Sequence, residues 1–144
     1  MLLSKEIAVS LNLAACKFKQ YTAMMLRNNN IELTPEQFLL IDLLWNQGPM
    51  SQQNLADTMD KDKNSITKLV DALENKGLVV RQRDKTDRRS NTIVLTEKAE
   101  AMKIETKEFG IAMLDRMLDG ISEEELRGML ATLAKLSRNM DTNG

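Results

Sequence analysis

A chain of 144 residues can bury one substantial core, and 42% hydrophobic residues with interspersed charges suit a protein that lives in water. There is no run of 18 apolar residues for a membrane span, Met1 to Glu6 lack the pattern of a secretory signal, and one cysteine fits a reducing cytoplasm. A net charge of −1 and a pI near 5.6 argue against a uniformly basic nucleic-acid binder.

Ile7 to Asn28 contain no breaker and carry Leu11, Ala14, Ala15, Phe18, Met25 and Leu26, so a long helix is expected there. Thr34-Pro35-Glu36-Gln37 starts the next. Thr34 can cap, Pro35 suits the first helical position, and Gln37 completes a capping box. Phe38, Ile41, Leu44 and Trp45 then fall on one face, and Gln47-Gly48-Pro49 ends it. Ser51 caps a short helix that buries Leu55 and Met59. Asp62 caps a third, Lys63 to Lys76, in which Ile66, Leu69, Val70 and Leu73 form an i, i+3, i+4, i+7 stripe. Gly77 is placed to terminate that helix in a left-handed conformation, with Leu78 folding back on Leu73.

Two short strand-like runs follow, Leu78 to Arg81 and Thr92 to Leu95. Between them Asp84-Lys85-Thr86-Asp87-Arg88-Arg89-Ser90 is polar, charged and free of Gly and Pro, which reads as a projecting hairpin loop. Arg81, Arg83, Lys85, Arg88 and Arg89 face only Asp84 and Asp87 in that stretch, whereas residues 99–144 hold nine acids and six bases. A local basic edge is therefore expected on a near-neutral chain. Thr96 caps a long helix reaching about Leu118 and ending near Gly120. Ser122-Glu123-Glu124-Glu125 is a second capping box with Ile121 and Leu126 as a staple. The last helix carries Leu126, Met129, Leu130, Leu133, Leu136 and Met140.

A helix, a glycine and a hairpin with arginine at its tip is the layout of a winged helix-turn-helix, in which the helix enters a major groove and wing arginine reaches a minor groove. The expected fold class is mainly α (α+β). A winged module over 34–96 is flanked by helical regions over 1–30 and 97–144, the whole forming one domain of 1–144. A module of about sixty residues has little apolar surface to spare for three more long helices. A helical layer shared between two copies, in a two-fold homodimer, resolves this.

Three motifs together match a family. Leu33-Thr34-Pro35-Glu36-Gln37-Phe38 resembles the helix start of the MarR family of bacterial transcription regulators. Asn64 through Val79 resembles its recognition helix and the turn into the wing. Asp87-Arg88-Arg89-Ser90 followed by Ile93-Val94-Leu95-Thr96 is similar to its wing signature. The resemblance implies an obligate homodimer with intertwined terminal helices that reads a palindromic operator in double-stranded DNA. It also implies repression relieved by a small molecule, often anionic or phenolic. Thr86 stands where a wing arginine is often found, and Ala99 where glycine is common.

On the third helix Lys63, Asn64, Ser65, Thr67, Lys68 and Asp71 lie opposite or beside the apolar stripe. Short donors and acceptors near a helix N-terminus suit base edges and phosphates, so Lys63, Asn64, Ser65, Thr67 and Lys68 are assigned to DNA contacts. Arg83 joins them from the hairpin. By the resemblance Arg89 is the minor-groove arginine, with Asp87 as its orienting partner and Arg88 on phosphate.

Some members of the family sense peroxides with a cysteine in the first helix. By ungapped counting that position falls at Ser10 here, and the supporting tyrosine positions hold Met24 and Pro35. Cys16 is therefore expected to be a small buried hydrophobe, with redox sensing as the alternative. Met24, Met25, Met113 and Met117 either line an adaptable pocket or serve as core. An enzyme reading is poor: there is no histidine, no phosphate-cradling glycine loop and no metal-ligand spacing, so neither cofactor nor metal is expected. The alternative from another class is a winged module that binds protein through the same helix.

Overall fold

The computed structural model describes residues 2–83 and 91–141. The elements are α1 (Leu3–Asn28), α2 (Pro35–Gln47), β1 (Met50–Ser51), α3 (Gln52–Met59), α4 (Lys63–Asn75), β2 (Val79–Arg83), β3 (Asn91–Leu95), α5 (Glu97–Met117) and α6 (Glu123–Asp141). The fold is thus mainly helical with a small antiparallel sheet, as expected. Two compact units divide it, Met1–Thr106 and Lys107–Gly144.

The helix starts follow from local hydrogen bonding. The Thr34 hydroxyl accepts from the Gln37 N–H, and the Gln37 side chain accepts from the Thr34 N–H, both at 3.1 Å, which is the complete capping box. Ser51 accepts from the Asn54 N–H at 3.0 Å and Asp62 from the Ser65 N–H at 2.7 Å. At α6 the Ser122 hydroxyl accepts from the Glu125 N–H and donates to the Glu125 carboxylate, both at 3.2 Å, so that box closes through the side chain. The start of α1 lies at Leu3, before the expected Ile7. The Leu2 carbonyl accepts from the Lys5 and Glu6 N–H groups, and nothing in between breaks the helix.

The end of α4 is a Schellman motif. Gly77 has φ +74°, its N–H donates to the Glu74 carbonyl at 2.9 Å, and the Leu78 N–H donates to the Leu73 carbonyl at 3.0 Å. The chain then turns directly into β2. This strand pairs with β3, and β3 pairs with β1, giving the order β1-β3-β2. Ile93 lies opposite both Met50 and Arg81. Strand β1 has no signature in the sequence, because two residues carry no periodic signal and become a strand only by pairing. The hairpin strands extend two residues (β2) and one residue (β3) further toward the loop than their sequence pattern predicts.

The core of the first unit gathers Leu40, Ile41 and Leu44 from α2, Leu55 from α3, Ile66, Val70 and Leu73 from α4, and Ile93 from β3, all at most 2% exposed. Phe38 and Trp45 meet edge-to-face at its margin, ring centroids 5.9 Å apart. Ala99, in the first turn of α5, is fully buried, and its carbonyl accepts from the Trp45 indole N–H at 3.1 Å.

The outer helices are covered little by this chain. On α1 only Thr22 and Leu26 are buried, while Leu11 and Phe18 remain 41% and 44% exposed. Helix α6 has no buried residue. The expectation for Cys16 is corrected on the same ground: it lies exposed on α1, on a stretch that the first unit's core does not reach.

Candidate nucleic-acid interface

The geometry of the site begins with the turn between α3 and α4. Asp60 closes α3 in the left-handed region at φ 52°, ψ 50°, a conformation that Asp tolerates better than most side chains. Lys61 donates its N–H to the Ala56 carbonyl and its ammonium to Glu36 on α2, each at 2.9 Å. Asp62 then caps α4. The three residues from Asp60 to Asp62 reverse the chain and are tied to both preceding helices.

Helix α4 turns its apolar stripe, Ile66, Val70 and Leu73, into the core. That places Lys63, Asn64 and Lys68 on the exposed side and leaves Ser65 and Thr67 half-buried. The Ser65 N–H, followed by its hydroxyl, holds the Asp62 carboxyl below the usual carboxylate range, and Lys68 adds to the effect. The Thr67 hydroxyl donates to the Lys63 carbonyl at 2.9 Å and accepts from the Gln52 amide at 3.3 Å. Its proton is thus committed within the protein, and one lone pair remains for a ligand. Arg83 is exposed at the end of β2. Asp87, Arg88 and Arg89 lie outside the described residues.

By its place in the sequence Arg81 belongs with the basic edge; the structure turns it inward. Its Nε donates to Gln52 Oε1 at 2.9 Å, one terminal nitrogen pairs with Glu74, and the other meets Asp71 Oδ1 at 2.7 Å and the Thr67 carbonyl at 3.3 Å. Asp71 and Glu74 are three residues apart and share a helix face, which the sequence does show. Nothing in the linear order pairs them with an arginine on the next strand.

The far end of α4 is held as well. The Lys76 ammonium donates to the Glu32 carbonyl and, at 2.9 Å, to Gln37 Oε1, so α2's capping side chain also serves α4. Lys98 donates to the Lys76 carbonyl at 2.9 Å, and Thr96 to the Gly77 carbonyl at 2.7 Å. A cleft of about 710 Å³ opens here between the α1–α2 turn, the end of α4 and the start of α5. Met102 is among its walls, but none of Met24, Met25, Met113 and Met117 is. Of those four, Met113 is buried.

Among the described residues no group of three or more His, Cys, Asp or Glu is placed to hold a metal ion, and no helix is long and apolar enough to cross a membrane.

Helices α3 and α4 joined by a three-residue reversal, with a three-stranded sheet against them, define a winged helix-turn-helix protein. The family model described as "MarR family" matches residues 33–91, the winged module itself. A MarR-family regulator from Rhodococcus is similar over 94% of this chain and 95% of its own, at 28% identity and a TM-score of 0.79. A MarR protein from Peptoclostridium difficile superposes with a TM-score of 0.86 over 99% of this chain and 94% of its own, at 19% identity. Staphylococcus aureus MepR, solved as a complex with DNA, gives a TM-score of 0.83 at 23% identity over 92% of this chain and 96% of its own. Residues 33–91 thus match the MarR family, and the chain has the fold of that family's transcriptional regulators.

Proposed function

We propose that the protein is a sequence-specific, double-stranded-DNA-binding regulator of transcription that acts in the cytoplasm as a homodimer. Each copy lays α4 in a major groove of a palindromic operator, with Lys63, Asn64, Ser65, Thr67, Lys68 and Arg83 in contact. The wing carries Arg89 to the flanking minor groove, oriented by Asp87, with Arg88 on phosphate. The regulator represses, and a small anionic or phenolic molecule relieves it.

The observation that carries this reading is the recognition helix. It is capped at its start and clamped through Asp71 and Glu74, while Lys63, Asn64 and Lys68 stand exposed near its N-terminus. Rigid presentation of polar side chains is what base readout needs. The similarity to MepR, a protein solved on DNA, supports it further. Dimerisation draws support from the exposure of Leu11 and Phe18 on α1 and of Met129 and Leu130, at 58% and 66%, on α6. Repression and its relief rest on the family resemblance.

The experiment is selection of bound duplexes from a random pool, followed by titration at several salt concentrations. A recovered palindrome, bound with a steep negative dependence on salt, supports the reading. Recovery of no consensus would refute it and favour a winged module that binds protein.

A further inference from the structure

We infer that Arg81 is a positioning residue that sets the rotation of the recognition helix, and through it sequence specificity, rather than a contact to DNA phosphate. The use of specificity as a readout rests on the DNA-binding reading; the helix-holding role does not.

The guanidinium reaches three groups of α4, the Thr67 carbonyl, Asp71 and Glu74. Steps of four and three residues place these along one side of the helix over two turns. A single planar group bonded at three heights along that side resists both tilt and rotation. Its remaining contact, from Nε to Gln52, joins the same cluster to α3, because the Gln52 amide also donates to Thr67. The base of the strut is firm: Arg81 lies on β2 in register with fully buried Ile93.

Charge and exposure point the same way. The Arg81 side chain is 21% exposed and lies between two carboxylates, so little of its charge is left for a phosphate. Rotating α4 by even a fraction of a turn would instead re-aim Asn64 and Lys68, which lie on the exposed side of the same helix. Lysine would keep the charge but lose the fork, since an ammonium cannot hold these acceptors in one plane.

The test uses the full chain and has two arms. Without DNA, amide exchange is followed in α4 and α2 for Arg81→Lys, Arg81→Gln and the double variant Asp71→Asn/Glu74→Gln, which removes the acceptors and keeps the arginine. Exchange about tenfold faster in α4 with α2 unchanged, in all three, is expected. Unchanged α4, or equal acceleration in both helices, overturns the inference. With DNA, the selected duplex and a scrambled one are titrated by fluorescence anisotropy. The preference for the selected duplex should fall about tenfold in Arg81→Lys, with the salt dependence on the scrambled duplex unchanged. Equal loss on both duplexes in Arg81→Gln, which removes the charge, with a salt slope lower by about one, would make Arg81 a phosphate contact and overturn the inference. Absence of any preference in the parent protein would refute the DNA-binding reading, and the exchange arm would still decide whether Arg81 holds α4.

Discussion

Gly77 is where α4 hands the chain to β2, and its replacement isolates one physical term. The residue sits at φ +74°, and a Cβ built there meets nothing within 4 Å. Gly77→Ala therefore brings no clash, only the cost of a left-handed L-residue, about 1–2 kcal/mol. The less flexible unfolded chain returns about 0.4–1 kcal/mol of that. The net expectation is a loss of about 1 kcal/mol, which lowers the melting temperature by about 4 °C for a chain of this size. Asparagine, which tolerates the left-handed region, should lose less than alanine, and valine, branched at Cβ, should lose more. Urea and thermal unfolding at one fixed protein concentration provide the assay, because stability linked to association depends on concentration. The ranking Gly, Asn, Ala, Val is the signature of backbone strain at an open site. Equal losses for all three variants, or a loss beyond about 3 kcal/mol for alanine, would show that space rather than φ governs the position.

Asp62 carries a pH prediction. Its folded pKa is depressed by the Ser65 N–H, so its contribution to stability is present above the unfolded carboxylate pKa and is lost as pH falls through the folded one. In Asp62→Ala, the difference in stability from the parent should shrink as the pH is lowered through that range; a constant difference would remove Asp62 as a charged cap. Arg89→Ala, outside the described residues, should cost about 1–3 kcal/mol of operator affinity without loss of folding, and Arg89→Lys should recover only part of it. Wild-type affinity in Arg89→Ala would show that the wing does not read the minor groove. Removal of residues 122–144 should give monomer or insoluble protein by light scattering, since it deletes the exposed Leu130 face of α6; a folded dimeric truncation would place the interface elsewhere.

What could be read from the residues alone were the features made within one turn of the chain. Thr34 with Gln37, Ser51 with Asn54 and Asp62 with Ser65 are bonds over three residues, and Gly77 with Leu78 closes a helix on its own last turn. Their chemistry is local, so spacing and residue type suffice to place helix ends, and the apolar stripes between them identify the buried faces. Three things waited for the tertiary structure. The two residues of β1 are a strand only because β3 lies beside them, 43 positions on at the Met50 to Ile93 pair. Cys16 lies exposed because the first unit's core ends short of that part of α1, and a single chain's helical pattern does not say what lies opposite. Arg81 looked like wing charge because it is only a few residues from the loop. Its partners on α3 and α4 lie 29, 14, 10 and 7 residues away, and only the folded chain brings them within reach of one guanidinium. An arginine's reach and fork let it join whichever acceptors the packing supplies, so its role is decided by tertiary contacts and not by its neighbours in the sequence.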